Sequence, residues 1–273
     1  MKKLVFVFSF LLILSSNIYT QQGWVFQNDF NSNSLINSLH FINEQKGWAL
    51  DMPRTFLKTT NGGETWDSIN INSINPLTSI FFIDDQIGWA SGWWGTMLKT
   101  TNGGETWDSL NSGFTNDIQS IFFIDQQTGW AIGGGTEGTI LKTTNGGVSW
   151  DSISSSNTET FLYSVHFIDS QIGWIVGDGG TILKTTNGGE NWFLQYSNSF
   201  SGLLAVHFLD DQTGWTVGTQ GTILKTTNGG QSWDTHSIFT YGSIHSVHFL
   251  DDQIGWAVGS DGIIIKSTNG GED

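Results

Sequence analysis

Along most of the chain, apolar and polar residues exchange places at every second position, and Gly, Asp or Asn ends each short run. The runs Ser246-Val247-His248-Phe249-Leu250-Asp251 and Gly255-Trp256-Ala257-Val258-Gly259 show this near the C-terminus, followed by Ile263-Ile264-Ile265-Lys266-Ser267. Alternation with a period of two marks half-buried β-strands. No stretch sustains a 3.6-residue period, so helices are not expected. Around Trp215 the runs fall at 205–209, 214–217, 222–226 and 232–235, which makes four short strands in one unit.

The unit repeats. A Trp that follows Gly occurs at Trp48, Trp89, Trp130, Trp174, Trp215 and Trp256, spaced 41, 41, 44, 41 and 41 residues. Four strands per unit in radial repetition predict a six-bladed β-propeller, all β, with four-stranded blades whose faces are buried only against their neighbours. The copies span about 38–69, 79–110, 120–153, 164–195, 205–236 and 246–273. The last stops at Asn269-Gly270-Gly271-Glu272-Asp273, where its fourth strand is due, while Gly23-Trp24-Val25-Phe26-Gln27 resembles a fourth strand such as Thr65-Trp66-Asp67-Ser68-Ile69. A strand at 23–27 is therefore expected to complete the last blade and close the ring, leaving no open edge. The alternative is a fragment of a seven-bladed propeller.

Thr59-Thr60-Asn61-Gly62-Gly63-Glu64-Thr65-Trp66 fits the Asp-box pattern, and it recurs at 100–107, 143–150 and 226–233. At 185–192 Asn191 stands in place of the hydroxyl residue, and at 267–273 the box is cut short. Its Asn and Trp positions are Asn61 and Trp66, Asn102 and Trp107, Asn145 and Trp150, Asn187 and Trp192, Asn228 and Trp233, and Asn269. Asn-Gly suits a hairpin needing positive φ, the Asn side chain bonds nearby amides, and the Trp pins the turn to its blade. The box thus reports architecture, not catalysis. Together with the Gly-Trp second strands and the N-terminal Trp24, the boxes resemble the photosystem II assembly and stability factor family of BNR-repeat propellers over residues 23–273. That resemblance implies a secreted or lumenal propeller that holds protein partners, and an assembly role in a photosynthetic source. Members that assist photosystem II usually have seven blades and an arginine-rich patch, whereas this chain has six copies and the single arginine Arg54.

Composition narrows the function. With no cysteine there is no disulfide, thiolate metal site or Cys nucleophile, and no cofactor is called for. Lys2, Lys3 and the apolar stretch from Leu4 to Leu14 read as a signal peptide over 1–20 cut near Thr20-Gln21, leaving the propeller at 21–273. That predicts a secreted, periplasmic or cell-surface monomer without a membrane span in its mature chain. The formal charge is −15, and −17 once the two leading lysines are removed, which repels nucleic acid and anionic lipid.

Loops joining first to second and third to fourth strands share one face and barely differ between copies. The other face varies: it has Asp51-Met52-Pro53-Arg54, Ser91-Gly92-Trp93-Trp94 and the turn from 133 to 138. It also carries the aromatics Phe114, Phe161, Tyr163, Tyr196, Phe200, Phe239 and Tyr241. Diversified loops on a rigid scaffold suit recognition, and arginine with exposed aromatics suits binding hot spots. Met52, Arg54, Trp93, Trp94, Phe161, Tyr163, Tyr196 and Tyr241 are accordingly the candidate binding residues, for a protein or glycan outside the cytoplasm. Catalysis finds less support. A sialidase needs three arginines, and one is present; Asp84, Asp125, Asp169, Asp210 and Asp251 repeat as turn caps. His40, His166, His207 and His248 share one repeat position with Phe81 and Phe122, which favours packing over metal binding. The reading is a non-catalytic binding scaffold, with a carbohydrate-binding or glycoside-hydrolase-like propeller as the alternative.

Overall fold

The computed structural model describes residues 36–51, 55–71, 75–134, 138–153, 160–238 and 240–272. Blade 1 comprises β1 (Ile36–Phe41), β2 (Gly47–Asp51), β3 (Thr55–Thr59) and β4 (Asp67–Asn70), and blade 2 comprises β5 (Leu77–Phe82), β6 (Gly88–Gly92), β7 (Thr96–Thr100) and β8 (Asp108–Asn111). Blade 3 follows with β9 (Ile118–Phe123), β10 (Gly129–Gly134), β11 (Gly138–Thr143) and β12 (Asp151–Ile153), and blade 4 with β13 (Leu162–Phe167), β14 (Gly173–Gly177), β15 (Ile182–Thr185) and β16 (Phe193–Gln195). Blade 5 has β17 (Leu203–Phe208), β18 (Gly214–Gly218), β19 (Ile223–Thr226) and β20 (Asp234–Thr235), and blade 6 has β21 (Ile244–Phe249), β22 (Gly255–Gly259) and β23 (Ile264–Ser267). Each is an antiparallel meander in chain order, so the protein is a six-bladed β-propeller, with single 3-10 turns as its only helical features among the described residues.

The first strand of each blade packs against that of the next, from β1 on β5 through to β17 on β21, which sets these strands innermost. They begin earlier than the alternation suggests: β17 starts at Leu203, because an irregularity between Leu203 and Ala205 keeps the strand paired past a break in the pattern. Outer strands are shorter than expected, β20 being Asp234–Thr235. Blade 6 has three strands among the described residues. The expected closing strand at 23–27, like the expected signal peptide at 1–20, lies outside them.

The core is a set of inter-blade sandwiches. Trp48 of blade 1 stacks on Phe82 of blade 2 at 3.7 Å and 6°, and Trp107 meets the same ring edge-on at 5.8 Å. Trp89 on Phe123, Trp130 on Phe167, Trp174 on Phe208 and Trp215 on Phe249 repeat the stack at 3.5–3.6 Å. Such pairs add about 0.5–1.5 kcal/mol each to the area they bury. The stack explains the Gly-Trp dipeptide, since a Cβ on Gly88 would lie 2.6 Å from the Phe82 ring. Indole N–H groups complete the joint: Trp48, Trp89, Trp130 and Trp215 Nε1 donate to the box carbonyls of Gly103, Gly146, Gly188 and Gly270 of the next blade at 2.9–3.2 Å. Trp174 is the exception, its Nε1 having no partner, while Lys184 Nζ takes the Gly229 carbonyl at 2.8 Å.

Candidate recognition face

Two faces emerge from the strand order, and they differ as the loop sequences suggest. On one lie the boxes and the first-to-second turns, locked together by backbone bonds such as Gly103 N to Gln86 O at 2.8 Å. In the box of blade 2, Thr100 Oγ1 accepts from Gly104 N at 2.9 Å and donates to Asn102 Oδ1 at 2.9 Å. Asn102 Oδ1 accepts from Thr106 N at 3.0 Å, and Asn102 Nδ2 donates to Thr106 Oγ1 at 2.8 Å. The repeated acids cap turns: Asp84 Oδ1 accepts from Gln86 N and Ile87 N at 2.8 and 2.7 Å. The same bonds from Gln253 and Ile254 hold the Asp251 carboxyl below its ordinary pKa, Ile254 acting most strongly. The Thr and Asn side chains of the boxes and the capping Asp84 Oδ1 are thus engaged by their own turns.

The other face holds the second-to-third turns and the fourth-to-first connections. In blades 2, 4, 5 and 6 the former is a single 3-10 turn, at Trp93–Gly95, Asp178–Gly180, Thr219–Gly221 and Ser260–Gly262. Its middle residue takes a left-handed conformation: Gly179 at φ 64, Gln220 at 56, Asp261 at 57 and Trp94 at 54. A bulky aromatic is a costly choice for that position. Asp117, at the start of the next blade, holds it by accepting from Trp94 N at 2.9 Å, while Trp93 N donates to Pro76 O at 3.0 Å. Trp93 and Trp94 meet edge-on at 5.7 Å and are 37% and 60% exposed, so Trp94 is the more open of the two and Trp93 is largely covered.

The remaining candidates divide. Phe161 and Tyr163 pack together at 5.1 Å, half-buried, but Tyr163 sits within β13 and not in a loop. Burial raises the Tyr163 pKa, helped by the Asp178 carboxylate hydrogen-bonded to its hydroxyl. Tyr241 is fully and Tyr196 mostly open to solvent, each without an aromatic neighbour among the described residues. Phe114 is half-buried in the joint between blades 2 and 3 and does not point outwards. Met52, Arg54 and Phe239 lie outside the described residues. Sequence reasoning overlooked Asp117, whose role depends on a contact 23 residues away in the chain.

The four histidines at the repeat position face the axis and serve packing. His40, Phe81, Phe122, His166, His207 and His248 follow one another with ring centroids 4.7–5.6 Å apart. His166 Nε2 donates to Phe208 O at 3.1 Å and His207 Nε2 to Phe249 O at 3.1 Å. Among the described residues no group of His, Asp and Glu is arranged to hold a metal ion. The repeated lysines reach across to the next box. Lys99 donates to the Gly146 carbonyl at 3.1 Å, while Lys142 and Lys225 pair with Glu190 and Glu272 at 2.5 Å, so they are partly counter-charges and partly box clamps.

The model of the family described as photosynthesis system II assembly factor YCF48 matches residues 17–113, 109–202 and 197–273. The chain belongs to this family. YCF48-type propellers are also its structural likenesses. A structure of YCF48 bound to D1 peptide superposes with a TM-score of 0.71 at 20% identity, covering 89% of this chain and 80% of that one. YCF48 from Cyanidioschyzon merolae gives 0.56 at 20% identity, over 87% and 96%. The GH74 enzyme of Niastella koreensis gives 0.73 at 15% identity, over 86% of this chain and 45% of the enzyme. At these identities the superpositions establish the propeller and nothing finer. No curated protein matches the chain.

Proposed function

We propose that this YCF48-family chain is a non-catalytic scaffold, working outside the cytoplasm, that binds a segment of another protein across its variable loop face. The observation that carries the reading is Trp94: an exposed aromatic in a left-handed turn, beside Trp93 and tied to Asp117. Sister blades fill the same place with Gly, Gln or Asp, so folding does not demand the tryptophan. Strain retained at an exposed position fits a binding role. Two adjoining indoles offer rigid, amphipathic contact area, favoured at interface hot spots. Family membership supports an assembly partner, and the solved YCF48 complex has a peptide as its ligand. In a photosynthetic source the same reading extends to photosystem II assembly.

A carbohydrate-active propeller remains the rival, because exposed indoles also serve as sugar platforms and a GH74 enzyme shares the fold. Probing an array of peptides from the source organism's exported and membrane proteins, beside a panel of oligosaccharides, separates the two. Trp93→Ala with Trp94→Ala should abolish peptide capture and leave the melting temperature within a few degrees. Glycan binding or hydrolysis, with no peptide captured, would replace this reading with its rival.

A further inference from the structure

Each outer strand described, β4, β8, β12, β16 and β20, presents the two residues after its box Trp to solvent. Four of them fill those places with an Asp and a hydroxyl residue: Asp67-Ser68, Asp108-Ser109, Asp151-Ser152 and Asp234-Thr235. The Asp lies opposite Lys58, Lys99, Lys142 or Lys225 on the neighbouring strand. A charge on an outer strand keeps other chains from adding to its free edge. β16 departs from this pattern. It sets Phe193 opposite Lys184 and follows it with Leu194, 61% and 55% exposed, and Tyr196 just past its end is 78% exposed. The four sister strands show that the fold needs nothing apolar here, and among the described residues β16 has no strand on its outer side.

Charge and symmetry select what covers this edge. The chain carries −15, so two copies repel wherever their carboxylates meet. Paired edge to edge with itself, any of the four sister strands brings Asp close to Asp. Residues 191–206 hold no charge, and Glu190 just before them is already paired with Lys142 at 2.5 Å. Antiparallel pairing of β16 with its own copy about Leu194 sets Leu194 beside Leu194, Phe193 across from Gln195 and Glu190 across from Asn198. No carboxylate then faces another, and a two-fold contact of this kind closes at two chains.

We propose that the outer edge of blade 4 is a self-association surface, where β16 of two copies pairs antiparallel and joins their blades into one sheet. The partner is thus a second copy of this chain, in place of the monomer expected from the sequence. Phe193, Leu194 and Tyr196 bring on the order of 400 Å² of apolar surface a copy, taking about 150–250 Å² for a fully buried aromatic. That is half of the roughly 800 Å² per partner of a standard interface, so the dimer is a weak one that forms at high concentration. Because β16 runs from the box end of its blade towards the variable-loop end, antiparallel pairing inverts the second copy. The two variable faces then point in opposite directions, both clear of the contact.

The mass of the full-length protein in solution, read by light scattering or sedimentation from about 1 µM to about 1 mM, should rise with concentration from one chain towards two. Phe193→Asp with Leu194→Ser copies the edge of blades 1, 2 and 3. It should weaken the dimer about tenfold or more and leave the melting temperature of the dilute protein unchanged. The chain has no cysteine, so a single thiol reports the contact without background. Leu194→Cys should give a disulfide-linked dimer on mild oxidation, whereas Ser109→Cys, at the equivalent place on β8, should stay a single chain. Unaltered protein that remains one chain over the whole range would overturn the proposal and leave the edge to a different partner. A dimer that the double variant keeps intact, equal cross-linking of the two thiols, or growth past two chains would overturn it as well.

Discussion

Trp94 is the residue at which local physics and fold disagree most. A left-handed backbone costs a bulky side chain on the order of 1 kcal/mol or more, and glycine nothing. The sister residue Gly179 shows that the turn closes without an aromatic. Trp94→Gly should therefore raise the melting temperature, because the lost side chain is 60% exposed and buries little. The same variant should lose peptide capture if the indole is an anchor. Stability and binding moving in opposite directions, measured by thermal denaturation and by the peptide array, would mark a strain kept for function. A variant both less stable and fully competent in capture would show that the indole instead braces the turn.

At the scale of the element, the Asn-to-amide bond of the Asp-box hairpin was legible because it spans four residues, whereas the Thr hydroxyl that accepts from the second Gly was not, and positive φ falls on the two glycines and not on the Asn. The one departure among the boxes makes a prediction. In blades 1, 2, 3 and 5 the box Asn Nδ2 donates to the Thr or Ser hydroxyl four residues on, at 2.8–2.9 Å. In blade 4 that residue is Asn191, which has no hydroxyl, and the Asn187 side chain keeps only the bonds to its Oδ1, from Thr185 Oγ1 at 3.0 Å and Asn191 N at 3.1 Å. Asn191→Thr should restore the missing bond and stabilise the protein by about 0.5 kcal/mol, the low end expected for an exposed hydrogen bond, read from denaturant midpoints. The strands, blade order and division into two faces were readable from period and repeat alone. Contacts between blades were not: the indole-to-carbonyl bonds join residues 55–58 apart, and nothing local in Asp117 marks it as the clamp on Trp94. Tyr163 was misplaced for a related reason, since the irregularity that starts β13 two residues early is fixed by pairing with β14, not by alternation.

Over the whole molecule the axial file of rings ties stability to pH. Burial lowers the pKa of His166 to about 4, with the backbone bond to Phe208 opposing it, and that of His207 to about 3, helped by its neighbours His166 and His248. His40 and His248 are lowered by burial as well. In the unfolded chain the same rings take up protons near the ordinary value of about 6.5. Between that value and about 4 the unfolded state thus binds more protons than the folded one, so stability is complete above pH 6.5 and falls as the medium is acidified. Carboxylates held low in the fold, such as Asp85 beside Lys46 and Glu272 beside Lys225, lose their contribution as pH falls through the ordinary carboxylate values, at the acid end of this interval and below it. The interval from 6.5 to 4 therefore belongs mainly to the histidines. His166→Phe with His207→Phe copies the packing that Phe81 and Phe122 already provide in blades 2 and 3. In melting curves taken across that interval, the double variant should lose most of the acid slope and keep its stability at neutral pH. An unchanged slope would mean that the axial rings are not what acid attacks first, and that the ring of blades yields elsewhere.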